Sequence, residues 1–182
     1  MCADVWLPQI EAFNPLYRVV VPDLPGHGQS RRLPDHSPTV SHYSDRIAEF
    51  LQEAVASPAV IIGHSLGALI SLDLASRYPF VCQGVAALAP VYRRSPEAKQ
   101  TVRQRARELS LDKFNGIAEA PVKRWFGEAP HGQNLELAQS CRNWLTRVDH
   151  QGYAQAYTAF AQSDGPDERT LSSVSMPSLF LS

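Results

Sequence analysis

Along the first half of the chain, short apolar runs alternate with stretches whose apolar residues recur every three or four positions. Residues 18–24 (RVVVPDL) set three β-branched side chains in a row and end at Pro25-Gly26, which predicts a short buried strand. Residues 39–56 place Val40, Tyr43, Ile47, Phe50, Leu51 and Ala54 at helical spacing and read as an amphipathic helix. Residues 59–63 form a second apolar run of strand length. Residues 66–78 read as a helix stopped by Pro79, and residues 85–90 (VAALAP) as a third strand. Strands separated by helices predict an α/β fold, a mostly parallel sheet with helices on its faces.

The pattern changes after Tyr92. From Arg93 to about Gln162 no segment has the period of a strand. Ser95-Pro96-Glu97 opens a helix with a capping serine, a proline at the first helical position and an acid in the first turn. Leu137, Cys141, Trp144, Leu145 and Val148 fall on one helical stripe, and Tyr153, Ala156, Tyr157 and Phe160 on another. This region reads as a helical insertion. A turn-rich stretch, SDGPD, occupies residues 163–167, and residues 176–182 (MPSLFLS) predict a fourth strand. The chain divides accordingly into residues 1–91 of a core, 92–163 as a helical cap, and 164–182 returning to the core.

Composition narrows the class. The 182 residues suffice for one domain with a real core, and a net charge of −1 does not suit nucleic acid or an anionic membrane surface as partner. Apolar residues make up 44% of the chain, yet no run approaches the length of a membrane span. Cys2, Cys82 and Cys141 are isolated, with no CxxC pair for zinc or redox chemistry, which fits a reducing, cytoplasmic setting. The basic run Arg93, Arg94, Lys99, Arg103, Arg105 and Arg107 reads as a solvated helix face. Gly26-His27-Gly28 is followed by Arg31 where a dinucleotide loop needs glycine, and there is no P-loop or HExxH, so no cofactor or metal is expected.

The chemistry concentrates at Gly63-His64-Ser65-Leu66-Gly67, which follows an apolar strand and opens a helix. That context gives the G-x-S-x-G pattern its meaning. A serine on a tight strand-to-helix turn is held with strained dihedrals, and glycines on either side let the two backbones pass closely. The helix N-terminus offers N–H groups and a positive dipole end, and the Leu66 N–H is placed to donate to an oxyanion. The competing reading is a serine that merely caps the helix.

At this point the sequence resembles the α/β-hydrolase family, in its esterase- and lactonase-like branch. The resemblance runs through WLPQI from Trp6, YRVVVPDLPGHGQS from Tyr17 to Ser30, the Gly63–Gly67 elbow, and VSMPSLFL from Val174, with residues 92–163 in the place of the lid. It implies Ser65 as nucleophile and the Leu66 N–H as one oxyanion donor, with Gly63, His64 and Gly67 completing the elbow. The family order of serine, acid and histidine places the acid just after the strand matched by residues 179–181, and the histidine later. A His-Gly loop ahead of the residue matched by Trp6 supplies the second oxyanion donor. The resemblance thus implies an acid and base past Ser182, a second donor and its strand before Met1, and a sequence that is a fragment of a longer hydrolase.

No residue inside the chain is assigned as a substitute for the implied acid or base. Among the histidines, His64 adjoins Ser65 on a turn that points neighbours apart, and His27 reads as loop packing. His36 and His42 read as surface near a helix start, and His131 and His150 as lid residues. Asp149-His150 are adjacent on a helix and do not face each other. Asp73 lies in the elbow helix, Asp164 and Asp167 in a turn, and Asp23 reads as fixing its loop. The lid aromatics Trp125, Phe126, Trp144, Tyr153 and Tyr157 fit helix packing as well as an acyl pocket. The expected activity is that of the longer hydrolase, hydrolysis of a small carboxylic ester or lactone through an acyl-serine without metal or cofactor; this chain by itself, with the implied acid and base past Ser182, is expected to turn over little or no ester. The alternatives are a catalytically inactive binding protein of the same fold, or a carbon–carbon bond hydrolase or acyltransferase.

Overall fold

The computed structural model describes residues 2–34, 37–111 and 118–182. Its contacts divide the chain into two compact units, Met1–Arg32 with Glu108–Tyr153, and Leu33–Arg107 with Ala154–Ser182. In chain order the elements are α1 (Leu7–Phe13), α2 (Val40–Phe50), β1 (Ala59–His64), α3 (Leu66–Arg77), β2 (Cys82–Leu88), α4 (Pro96–Ser110), α5 (Glu119–Phe126), α6 (Gln133–Thr146), α7 (His150–Gln162), α8 (Glu168–Ser173) and β3 (Ser178–Leu181).

The unit built on Leu33–Arg107 and Ala154–Ser182 carries the sheet. Its strands are all parallel, in the order β1-β2-β3. Register pairs Ile61 with Val85 and Gly63 with Ala87, so these four share one face of the sheet. Ile61, Val85 and Ala87 pack there with Ala48, Leu51, Ala68, Leu72, Leu74 and Ala75 of α2, α3 and the turn between α2 and β1. On the other face Val60 and Ile62 are 59% and 42% exposed, and Leu179 and Leu181, on the far side of β2, are exposed as well.

Two of the helices begin where the sequence places them. Thr39 donates its N–H to His42 Nδ1 at 2.9 Å at the start of α2. Ala98 N–H donates to Ser95 Oγ at 3.2 Å at the start of α4, as the Ser-Pro-Glu triplet predicts. α2 runs on through a π-helical turn, Leu51–Val55, and stops at Ala56 in the left-handed region (φ +57°).

A polar cluster ties α2 to α3. Asp73 accepts from Ser44 Oγ, from Ser41 Oγ at 3.3 Å and from Arg77 Nε at 2.9 Å. Arg77 also pairs with Asp45 at 2.7 Å, and Tyr78 donates to the same carboxylate at 2.7 Å. Partial burial raises the Asp45 carboxyl, but the hydrogen bonds from Tyr78 and Arg77 outweigh it and hold it below the usual carboxylate range. Tyr43, on α2, is the contrasting case. Its side chain is fully buried, and its hydroxyl has no hydrogen-bond partner among the described residues. Removing an unpaired buried hydroxyl recovers its desolvation penalty. Tyr43→Phe is therefore expected to gain about 1 kcal/mol in urea denaturation.

In the other unit, α5 and α6 meet through Val122, Ala138 and Leu145, with Phe126, Cys141 and Tyr153 against them. The buried stripe of α6 is Ala138–Cys141–Leu145 rather than one that includes Leu137, which is exposed. Arg142 fastens α6 to α5 with two hydrogen bonds to Glu119, at 2.8 and 3.2 Å.

Residues 18–24 correct the sequence reading. They were expected as a strand and instead join no sheet. A strand exists only as one side of a hydrogen-bonded ladder, and this segment enters no ladder among the described residues. The other three predicted strands form, at Ala59–His64, Cys82–Leu88 and Ser178–Leu181. From Arg93 to Gln162 the described residues contain only helices and loops.

Candidate active site

The elbow is built from the C-terminal end of β1. Ser65 continues the β1–β2 ladder by donating its N–H to Leu88 O at 2.9 Å. The chain then reverses its curvature within one residue: Ser65 has φ +56° and ψ −114°, a conformation that non-glycine residues avoid. Its carbonyl already accepts from Ala68 and Leu69, so α3 starts immediately behind it. The Ser65 side chain makes no capping hydrogen bond to that helix. Ser65 is therefore not a simple capping serine, and among the described residues its hydroxyl has no hydrogen-bond partner on this strained turn. Leu66 occupies the first position of α3, where its N–H has no acceptor within the helix.

Gly63 shows what the turn requires. A Cβ at Gly63 would lie inside the van der Waals shell of the Gly67 carbonyl and of Ser71 Oγ. The strand and the helix therefore pass at a distance only a glycine permits. Ser71, which the sequence reading did not single out, donates its hydroxyl to Gly67 O at 2.8 Å and holds that carbonyl in place. Its signal was its spacing, four residues beyond Gly67 on the same helix. Gly67 has no such need, since a Cβ there meets nothing among the described residues within 4 Å. The expectation of two tightly packed flanking glycines holds for one of them. His64 ends β1 opposite Leu88 with its side chain exposed.

The carboxylates weighed as partners for Ser65 each hold structure. Asp23 accepts from Ala3 N–H at 2.7 Å and Gln29 N–H at 3.1 Å, fixing its loop as expected. Asp73 serves the α2–α3 cluster. Asp149 accepts from Gly152 N–H at 2.7 Å at the start of α7, and Asp167 from Thr170 N–H at 2.7 Å at the start of α8. Asp164 pairs with Lys99 at 2.6 Å. Arg94 is nearly buried, donates to the carbonyls of Ser163 and Phe160, and sits 4.4 Å over the Phe160 ring. Of the basic run, Arg93, Arg94 and Lys99 are thus engaged, with Arg93 paired to Glu168 at 2.6 Å.

The histidines divide similarly. His42 serves its helix cap, and His131 and His150 are exposed on α6's approach and at the start of α7. His27 is buried (9% exposed), and burial drives its imidazole down to about 4. His36 lies outside the described residues. Among the lid aromatics, Phe126 and Tyr153 pack in the α5–α6 core, Tyr157 meets Phe160 edge-on at 6.0 Å, Trp144 is half-buried, and Trp125 is exposed under Arg124. No group of three or more His, Cys, Asp or Glu side chains among the described residues could hold a metal ion, and no described helix is long and apolar enough to cross a membrane.

The model of the alpha/beta hydrolase fold family matches residues 1–131. The chain belongs to that family. An (E)-2-((N-methylformamido)methylene)succinate hydrolase of Acinetobacter baylyi is 34% identical over the whole chain, and a 3-oxoadipate enol-lactonase of the same organism is 28% identical over 97% of it. The chain spans 67% and 64% of the length of these two relatives, about two thirds. Among solved structures, an enol-lactonase from Burkholderia xenovorans superposes with a TM-score of 0.83 at 22% identity, covering 98% of this chain and 67% of that one. A thermophilic esterase from Thermogutta terrifontis gives 0.80 at 24%, covering 99% and 66%. This α/β-hydrolase therefore shares its fold with lactone and ester hydrolases.

Proposed function

We propose that Ser65 is the nucleophile of a hydrolase acting on a small carboxylic ester or lactone. The observation that carries this reading is the free Ser65 hydroxyl on a turn with φ +56° between β1 and α3. Ser65 Oγ attacks the substrate carbonyl and gives its proton to a general base. The tetrahedral oxyanion accepts from the Leu66 N–H, with the N-terminal dipole of α3 behind it. Collapse expels the alcohol, or opens the lactone ring, and leaves an acyl-serine that water hydrolyses to the carboxylic acid. Residues 92–163 form the cap that selects the substrate, in a reducing, cytoplasmic setting. The two relatives matched over nearly the whole chain are named for a succinate derivative and a 3-oxoadipate enol-lactone, which supports a substrate that itself carries a carboxylate.

A fluorophosphonate probe on the full chain tests this reading, because it reports an activated serine without requiring the natural substrate. One labelled site, lost in Ser65→Ala with the circular dichroism unchanged, is the expected result. Labelling that survives Ser65→Ala removes Ser65 from the role. Absence of labelling favours the non-catalytic binding protein, whose specific support is that Asp23, Asp73, Asp149, Asp164 and Asp167 all hold structure.

A further inference from the structure

The turn after residues 18–24 is held in an arrangement the proposed chemistry does not require. Gly26 and Gly28 both lie in the left-handed region (φ +78° and +52°) and throw His27 inward between them. Gly26 N–H donates to the carbonyls of Ser30 and Arg31 at 3.2 Å, which closes the turn. Its outer side lies directly on the first turn of α7. A Cβ at Gly26 would come within 2.6 Å of Gly152 Cα, and a Cβ at Gly152 would meet the Gly26 backbone. Two glycines from segments far apart in sequence thus meet backbone to backbone.

His27 is the side chain sealed beneath this contact. It is buried, its Nδ1–H donates to Pro25 O at 3.2 Å, and its ring meets Tyr153 at 6.3 Å. The charged groups around it come from both sides. Asp23, on the segment before the turn, is occupied by the N–H groups of Ala3 and Gln29. Asp149, at the start of α7, is occupied by Gly152 N–H and lies 3.7 Å from Arg32. Neither carboxylate accepts a hydrogen bond from His27. A protonated imidazole at this position would be a buried cation whose hydrogen-bond partner among the described residues is the Pro25 carbonyl.

We propose that the turn of residues 25–30 is an acid-released latch on the first turn of α7, closed while His27 is neutral and opened when it is protonated. Opening lets the imidazolium reach water at the expense of the Gly26–Gly152 contact. The sign follows from linkage. The closed form binds the proton more weakly than the open one, so closure is fully favoured above the ordinary histidine range and weakens as pH falls through it. With 6.5 for the open form and about 4 for the closed one, the closed-to-open ratio falls about twenty-fold between pH 7 and pH 5. Carboxylates remain ionised over that interval.

Amide hydrogen exchange on the full chain, corrected for intrinsic rates, tests the latch. Protection at residues 24–31 and 150–154 is expected to drop about twenty-fold from pH 7 to pH 5, while α3 keeps its protection. His27→Gln, a neutral donor to Pro25 O, should show no such drop. Gly152→Ala should show the lowered protection already at pH 7. Equal protection at both pH values overturns the proposal. So does a drop that persists in His27→Gln, or one that spreads equally to α3. Should His27→Gln not fold, the wild-type imidazole carries the test by nuclear magnetic resonance. A His27 titration centred well below 6 that moves the Gly26 and Gly152 amides with it supports the latch, and an ordinary titration that leaves them still overturns it.

Discussion

Gly63→Ala is expected to remove at least about 3 kcal/mol of stability, measured by urea denaturation, and to abolish probe labelling of Ser65. The added methyl points at the Gly67 carbonyl and Ser71 Oγ, which are backbone and a short side chain already hydrogen-bonded to each other. Neither can swing aside. The remaining escape is to lift α3 from the sheet, and α3 is fixed by Ala68, Leu69, Leu72, Leu74 and Ala75, all buried. Relief of the clash therefore comes at the expense of core packing, and any displacement of α3 shifts Ser65 with it. Gly67→Ala supplies the contrast within the same motif. Its methyl enters open space on a helix, so the expected outcome lies between no change and a gain of about 1 kcal/mol. Equal damage from the two substitutions would mean that Gly67 faces a crowded surface and not open space.

What the sequence could reveal about this molecule follows from how far apart the deciding residues lie. The elbow was legible because its parts are consecutive: an apolar strand, a glycine, a serine and a helix within a dozen residues. Helix starts at Ser95-Pro96-Glu97 and Thr39 were legible for the same reason. Residues 18–24 were misread because β-branched residues state a local preference, while a strand also needs a neighbour, and no local pattern names one. The closeness of Gly26 to Gly152 joins positions more than a hundred residues apart, and neither glycine looks different from a turn or helix glycine in the sequence. The same applies to the aspartates. Asp149 and Asp167 announced nothing until their helix-start hydrogen bonds were visible. Gly67 marks the opposite limit, a motif letter whose local steric demand the structure does not show.

Asp73→Ala is expected to cost about 2–3 kcal/mol while leaving Ser65 reactive in the folded fraction. Asp73 stands two turns beyond Ser65 on α3 and was weighed as a catalytic acid, so its role must be decided by which property fails. Its carboxylate accepts from Ser41, Ser44 and Arg77 and is the knot that joins α2 to α3. Removing it leaves the Arg77 guanidinium, raised above its usual range by these partners against the opposing effect of partial burial, with only Asp45 to neutralise it. It also takes the carboxylate acceptor from Ser41 and from Ser44, which keeps the Ser41 carbonyl at 3.0 Å. Arg77→Ala introduced after Asp73→Ala should therefore cost about 1 kcal/mol less than it does in the wild type, since the pair it would break is already gone. Asp73→Asn, which keeps an acceptor oxygen for Ser41 and Ser44, should recover part of the loss. A catalytic acid would give the reverse pattern, with normal stability, lost labelling, and no coupling to Arg77. The geometry favours the first outcome because every hydrogen bond of Asp73 runs to α2 or along α3, and none runs to Ser65.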